Sequence, residues 1–295
     1  STIIIENTEF HDHGKSNGGM SHNIYIGQCE KFILKNSYSH HAWHGHNVKS
    51  RAENNYILYN RIMDEETGSS SYLLDLPEGG RSYVIGNLFH KGVNAENPNA
   101  AISYASENLN GEFQELYVSG NTFVNERSNG GGIRYVNGDP KLKIVNNIFL
   151  DFTSPMNSDA TAQEYYNNIE STSSSELNFE DLNNFDYSLD ENSIAIDIGV
   201  NLGIEEGFDL TPKFENFVDK LHELIKDIPC EGSPELEDKF KSKIYKMESY
   251  IFNQIQKMKD SITKNLQTLP NVKGRRKTSQ KYDMFFDNLK TIFLN

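Results

Sequence analysis

The sequence predicts an all-β solenoid, a right-handed parallel β-helix over residues 1–212, followed by a small α-helical module over residues 213–295. Short apolar segments that end in asparagine recur along the first part, and the apolar spacing becomes helical after Pro212. The charge changes at the same place: residues 1–212 carry 12 Lys and Arg against 30 Asp and Glu, whereas residues 213–295 carry 16 against 12. Together these observations predict two domains.

The repeat unit is a short apolar strand, an asparagine turn and a second short strand. Its copies are centred on Asn7, Asn36, Asn60, Asn87, Asn121 and Asn147. Strands this short bury little surface alone, whereas stacking them about 4.8 Å apart gives each one a partner on both sides. Because asparagine tolerates a left-handed backbone, we expect these residues at one corner of parallel coils over residues 2 to about 170. The alternative, an antiparallel sandwich, would show tight hairpin turns, whereas the loops here vary in length.

Beyond Pro212 the apolar residues recur three and four positions apart, over residues 214–228, 236–266 and 282–293. The first of these predicted helices is suited to cap the end of the β-helix, whose open strand edges would otherwise invite aggregation. The module is also the predicted contact surface for another protein or for a second copy of the chain.

The recurring Val-x-Gly-Asn-x-Phe units and the His-Gly-His-Asn-Val-Lys-Ser-Arg-Ala stretch at residues 44–52 resemble the pectate-lyase-like right-handed β-helix proteins. The resemblance covers about residues 2–212. That superfamily is dominated by polysaccharide lyases, hydrolases and epimerases. The resemblance implies an acidic, uronate-containing polysaccharide as the partner, β-elimination as the reaction, and an extracellular or periplasmic location. Fold alone does not fix function, so the site residues have to carry the chemistry.

The second coil carries the densest set of reactive side chains. If Val48 and Ser50 face inward, strand alternation places Lys49 and Arg51 outward on one face. Aligning the coils by their asparagines then places Asp75 over Arg51. The predicted outward face continues through Glu78, Glu107 and Arg134. Such a row on stacked strands has the shape of a groove for an extended polymer.

A polyuronate lyase neutralises the sugar carboxylate, removes the adjacent proton with a base and protonates the leaving oxygen. By resemblance, Lys49 is the predicted base and Arg51 binds the carboxylate or assists proton transfer, with His44 or His46 as the alternative acid. The predicted substrate-binding residues are Trp43, His41, Asp75, Glu78 and Arg134. The competing interpretation is that Lys49 and Arg51 only pair with acids on the next coil.

A metal site is a further hypothesis, with Ca²⁺ as the candidate cofactor. The candidate ligands are His44, His46, Asp75 and Glu107. His44 and His46 are two apart on an extended segment and project from one face, and His41, or His11 with His13, would complete an imidazole set. A calcium-dependent lyase would show outward carboxylates on consecutive coils, and only Asp75, Glu78 and Glu107 qualify.

Composition limits the other classes of function. The net charge of −14 argues against nucleic acid as a partner of the β-helix, because phosphate binding needs clustered Lys and Arg. The apolar runs are far shorter than the roughly 18 residues of a membrane span, so no transmembrane segment is predicted. Cys29 and Cys230 lie too far apart to indicate a cysteine zinc site. The alternative function is a non-catalytic β-helix that binds glycan or serves as an adhesive stalk.

Overall fold

The computed structural model describes residues 1–14, 21–107, 109, 111–156 and 164–213. Within these residues the chain forms the predicted parallel β-solenoid, in which each strand pairs in parallel with its equivalents on the neighbouring coils. In the same part of the chain the α-helical content is one short segment, Ser174–Leu177. Apart from Lys213, the predicted helical module lies outside the described residues, as does its predicted capping role.

Each coil runs through three sheets, which we call A, B and C in chain order. Sheet A contains Thr2–Glu6, Lys31–Lys35, Asn54–Leu58, Gly80–Ile85, Gln114–Ser119, Lys141–Val145 and Glu164–Tyr166. Sheet B contains Glu9–His11, Tyr38–His40, Arg61–Met63, Leu88–Lys91, Thr122–Asn125, Ile148–Leu150 and Ile169–Ser171. Sheet C contains Ile24–Ile26, His46–Ser50, Tyr72–Leu76, Ile102–Tyr104, Gly131–Tyr135 and Ser154–Met156.

The interior is filled by equivalent apolar side chains stacked on one another. In sheet B the rings of Phe89, Phe123 and Phe149 lie nearly parallel, with centroids 4.8 and 4.7 Å apart. In sheet C the inward positions are held by aliphatic residues such as Val48 and Leu74, which are in register. Because strand side chains alternate, this inward row fixes which residues face outward.

The corner between sheets A and B is a ladder of asparagine side chains. Asn87 Oδ1 accepts hydrogen bonds from the backbone N–H of Asn60 (2.9 Å) and from its side-chain amide (3.0 Å). The same pattern links Asn87 to Asn121 and Asn121 to Asn147. The predicted common corner is therefore confirmed for these four residues.

Asn36, like Asn7 on the first coil, lies one position before the asparagines of this ladder. Ser37, not Asn36, is in register with Asn60 and donates its backbone N–H to Asn60 Oδ1 at 2.9 Å. Asn36 occupies the preceding, left-handed position with φ of 47°, which Gly86 (φ 66°) takes two coils later. Asparagine fits both positions, so the sequence pattern does not distinguish them.

Residues 174–213, which we call the return segment, leave the last coil and pack on the outside of the solenoid. They contain the helix Ser174–Leu177, the 3₁₀ helix Leu182–Asn184, an antiparallel pair Phe179–Asp181 and Asp186–Leu189, and a second pair Ile204–Glu205 and Phe208–Asp209. The two apolar clusters that the segment forms join it to sheets A and B and contain no residue of sheet C. Among the described residues, the segment thus covers two outer faces with apolar packing.

In the part of the chain that the structure describes, no helix combines the length and the hydropathy of a membrane span.

Candidate functional site

The outer face of sheet C presents a continuous row of side chains, one from each of five coils. Tyr25, Lys49, Asp75, Ser103 and Arg134 are consecutive partners in the register of neighbouring strands. The inward neighbours of this row are the aliphatic residues of the core, so the alternation that defines the row is set by burial. The predicted outward placement of Lys49 is confirmed.

Lys49 lies between two carboxylates. Its Nζ is 2.8 Å from Asp75 Oδ2 and 3.2 Å from Glu107 Oε1. The register pairs Asp75 with Lys49, so the predicted placement of Asp75 over Arg51 is wrong. The cause is the loop at residues 64–71, which is longer than the equivalent loop at residues 41–45 and shifts the following strand relative to an asparagine alignment.

Arg51 uses its whole guanidinium group in contacts on the same face. Nε donates to Tyr25 Oη at 2.9 Å, NH1 donates to Glu78 Oε1 at 2.7 Å, and NH2 lies 2.7 Å from Glu107 Oε2. Although burial disfavours the charged guanidinium, the hydrogen bonds that it donates to Glu107, Tyr25 and Glu78 raise the pKa of Arg51 above its usual range. Arg51 therefore pairs with Glu78 rather than with the predicted Asp75.

Glu107 bridges the two cations with one carboxylate oxygen on each. Its side chain is 44% exposed and belongs to the loop that follows the strand Ile102–Tyr104. Partial burial raises its pKa, but the hydrogen bonds from Arg51 and Lys49 outweigh that effect and lower it. Lys49 and Arg51 thus form a receptor for one carboxylate group, and Glu107 fills it from the solvent side.

Asp75 is the buried member of the cluster, with 2% of its surface exposed. Burial raises the pKa of its carboxyl group despite the opposing effect of Lys49. Oδ2 contacts Lys49, and His46 Nε2 lies 3.4 Å away, whereas Oδ1 is buried without a hydrogen-bond partner. Asp75 therefore holds Lys49 in place from beneath while Glu107 approaches it from outside.

Aromatic rings form a second row beside these charges. His22 stacks on His46 with centroids 4.8 Å apart, and His46 stacks on Tyr72 at 5.3 Å. His46 Nδ1 accepts the backbone N–H of Tyr72 at 3.1 Å, and His22 Nδ1 accepts that of His46 at 3.0 Å. Burial, together with the positive charge of Lys49, lowers the pKa of His46 to about 3 and that of His22 to about 4. Both rings are therefore neutral hydrogen-bond acceptors at neutral pH.

Other residues predicted for the site contact different partners. His44 pairs with Glu96. The indole Nε1 of Trp43 donates to Asp12 Oδ1 at 3.0 Å. His41 lies near Glu65, its Nε2 3.8 Å from Glu65 Oε2.

Arg134, the last residue of the predicted set, stays on the sheet C face. Its NH1 donates to Tyr72 Oη at 3.2 Å. The structure therefore brings together Lys49, Arg51, Asp75, Glu78, Glu107 and His46, and leaves His41, Trp43 and His44 in the loop between sheets B and C.

The sequence argument missed the tyrosines of this face. Tyr25 is 55% exposed, lies in register with Lys49 and has the guanidinium carbon of Arg51 5.9 Å from its ring centroid. Tyr72 takes part in the ring stack and contacts Arg134. The sequence did contain an indication of their position. Each tyrosine is next to an apolar residue of a short strand, and the alternation of strand side chains that places Lys49 outward also applies to them.

A cavity of about 410 Å³ opens beside Arg51 and Glu78, with Gln28 and Glu53 also lining it. A larger cavity of about 790 Å³ lies elsewhere, between residues 124–128 and the return segment. We associate ligand binding with the smaller cavity because Arg51 and Glu78 of the charged cluster line it. A concave surface with convergent polar groups is the usual setting of a binding site.

Comparison of the chain with protein-family models, with curated proteins and with solved structures found no match.

Proposed function

We propose that this protein binds an acidic polysaccharide along the outer face of sheet C, with uronate carboxylates as the groups recognised. The observation that carries the proposal is the position of Glu107, whose two carboxylate oxygens lie 3.2 Å from Lys49 Nζ and 2.7 Å from Arg51 NH2. A sugar carboxylate has the same charge and the same pair of oxygens. It would replace Glu107 between the two cations without any rearrangement of the strands beneath.

Tyrosine and histidine rings flank this receptor, and sugar rings pack well on aromatic faces. Tyr25 is the exposed ring at one side, and Tyr72 lies one coil beyond His46. Coils stack about 4.8 Å apart, so the face offers a regular series of contacts to an extended chain. The resemblance to pectate-lyase-like proteins supports the same class of polymer.

β-Elimination is the reaction that such a receptor would assist. Removing the proton beside a uronate carboxylate places negative charge on that carboxylate, and Lys49 with Arg51 would stabilise it. Lys49 is better suited to this binding role than to the predicted role of base. A lysine that accepts a proton must first be neutral, and Asp75 at 2.8 Å stabilises the ammonium ion.

The residues do not fit calcium as the neutralising group. Two of its candidate ligands, Asp75 and Glu107, both contact the ammonium of Lys49. A calcium ion at these oxygens would lie beside a positive charge, which disfavours its binding. We therefore expect polymer binding that does not depend on calcium.

Non-catalytic glycan binding is the second candidate, and the pairing of Lys49 with two carboxylates favours it. One experiment separates the candidates: the protein is incubated with uronate polymers and with neutral polymers, with and without calcium. Absorbance of unsaturated ends reports elimination, new reducing ends without that absorbance report hydrolysis, and depletion of protein by insoluble polymer reports binding.

We expect binding to the uronate polymers and none to the neutral ones. Binding with unsaturated product supports the lyase, and binding without product supports the second candidate. Failure to bind any uronate polymer would overturn the proposal.

A further inference from the structure

Two histidines and a glutamate converge at the end of sheet B, away from the Lys49 cluster. His40 and His41 come from the second coil and Glu65 from the third, and one nitrogen or oxygen of each lies within 4.8 Å of the others. All three side chains are largely buried, with 13%, 19% and 17% of their surface exposed. Among the described residues, this is the group of histidine and acidic side chains whose geometry suits a metal ion.

The backbone is shaped to bring these side chains together. Adjacent strand residues normally point to opposite faces, so His40 and His41 would not share a partner in a regular strand. His41 instead adopts a left-handed conformation with φ of 51°, and Glu65 does so on the next coil with φ of 54°.

One carboxylate oxygen of Glu65 has no hydrogen-bond partner. This oxygen, Oε1, is buried, and the nearest ionic contacts of the carboxylate are His40 Nδ1 at 4.0 Å and His41 Nε2 at 3.8 Å. A bound cation would supply the missing partner of the buried oxygen.

His40 is oriented as a metal-binding histidine usually is. Its Nε2 lies 3.0 Å from Glu9 Oε1, and its Nδ1 lies 2.5 Å from His41 Nδ1 and 4.0 Å from Glu65 Oε1. Histidines that bind a metal through one nitrogen commonly donate the other N–H to a carboxylate, which fixes the ring. Stacking against the ring of Tyr38, at 4.1 Å between centroids, restricts the imidazole further.

We propose that His40, His41 and Glu65 bind one divalent transition-metal ion of the zinc type, through two imidazole nitrogens and one carboxylate oxygen. Nitrogen ligands favour zinc over calcium or magnesium, which prefer oxygen. Ligand atoms around a tetrahedral zinc ion are about 3.3 Å apart, and the three present here all lie within 4.8 Å of one another. Three protein ligands leave a fourth position for water or another ligand.

The proposed site links the second coil to the third and is independent of the proposed polysaccharide binding. It also differs from the ligand set predicted from the sequence, in which His44 and His46 were central. In the structure His44 pairs with Glu96, and His46 Nδ1 accepts the backbone N–H of Tyr72.

The test is zinc binding by the full-length protein, stripped of metal and titrated in competition with a chromophoric chelator. We expect one zinc ion per chain at this site. Glu65→Gln keeps the shape and removes the charge, His41→Ala removes a nitrogen, and each should weaken binding by about 100-fold or more. Glu9→Gln removes only the orienting carboxylate and should weaken binding by about 10- to 100-fold. Glu66→Gln and His44→Ala are the matched controls and should bind zinc as the wild type does.

Two readouts separate loss of the site from loss of the fold. Zinc should raise the melting temperature of the wild type by mass action and leave that of Glu65→Gln nearly unchanged. Cobalt(II) bound to the wild type should give visible absorption typical of nitrogen and oxygen ligands, which requires no variant. Absence of zinc binding by the wild type, or equal binding by Glu65→Gln and His41→Ala, would overturn the proposal.

Discussion

The outer faces of sheets A and B differ in composition from that of sheet C although they belong to the same coils. Under the return segment, the buried outward residues of sheets A and B are mostly apolar: Tyr83, Tyr117, Val145, Leu88, Val124 and Leu150. A few charged ones, such as Lys143 and Arg61, pair with the segment. On sheet C the outward row is polar, charged or aromatic: Tyr25, Lys49, Asp75, Ser103 and Arg134. Among the described residues, apolar outward positions therefore mark the faces on which the return segment packs.

The two kinds of face also differ in what they contribute. Apolar burial by the return segment is insensitive to pH and salt, and it adds to stability in proportion to the area removed from water. The cluster on sheet C orders side chains for a ligand, and buried ion pairs of this kind contribute little net stability. We expect variants of the first face to affect folding and variants of the second to affect binding.

The largest expected effect is the loss of a buried anchor of the return segment. Leu210 is fully buried against sheet A, together with Tyr83 and Tyr117. Leu210→Ala should lower the free energy of unfolding by about 2–5 kcal/mol, because it creates a cavity as well as removing apolar contact. Ile204→Ala is the matched control, since Ile204 belongs to the same segment and is 70% exposed. Urea unfolding of both variants checks this, and equal losses would contradict a specific covering role.

Acidification should have the next largest effect on stability, through His46 on the outer face of sheet C. The pKa of His46 is lowered to about 3 from an ordinary value of 6.5, so the folded state binds fewer protons than the unfolded state between these values. The associated stability is present above pH 6.5 and is lost as the pH falls toward 3, with about 3 kcal/mol of it lost by pH 4. Protonation of Nδ1 would break the hydrogen bond from the backbone of Tyr72.

The measurement is the free energy of unfolding between pH 4 and pH 7 for the wild type and for His46→Gln. The difference between the two curves should change with pH, with His46→Gln less sensitive to acid. His44→Gln is the control at a half-exposed histidine of the same loop region. A constant difference between wild type and His46→Gln would show that His46 does not set the acid sensitivity.

Breaking the ion pair beneath the receptor should have a smaller effect. Lys49→Met leaves Asp75 buried without its cation, which should cost about 2 kcal/mol at pH 8 and less as the pH falls, because burial raises the pKa of the Asp75 carboxyl group. The double variant Lys49→Met with Asp75→Leu should recover most of this stability, because it removes both charges. A double variant as unstable as Lys49→Met would mean that the pair itself stabilises the fold.

The sequence predicted the solenoid and the corner because both depend on a repeated local requirement. Each coil needs a residue at which the chain turns and a side chain that forms hydrogen bonds to the neighbouring coil. The side chains of Asn60, Asn87, Asn121 and Asn147 form these hydrogen bonds. The composition of the second coil also indicated the charged face. These features repeat along the chain and are therefore visible without the third dimension.

The partners within the site were not predictable in the same way. Asp75 pairs with Lys49 because loop length decides register, and the loops of neighbouring coils differ. Glu65 joins His40 and His41 through two left-handed residues that no spacing rule identifies. The return segment was also missed, because its apolar residues follow the surface they cover and show no regular period.

The most direct test of the outer face of sheet C as the binding surface is the affinity for one uronate polymer, measured for the wild type and three variants. Arg51→Gln removes hydrogen bonds to a charged group worth about 1.5–3 kcal/mol, so binding should weaken by about 10- to 100-fold. Glu107→Gln removes the competing carboxylate, so binding should become tighter by several-fold, whereas Glu112→Gln, at an exposed position a few residues on, should bind as the wild type does. Unchanged affinity in Arg51→Gln, or weaker binding in Glu107→Gln than in Glu112→Gln, would contradict the account.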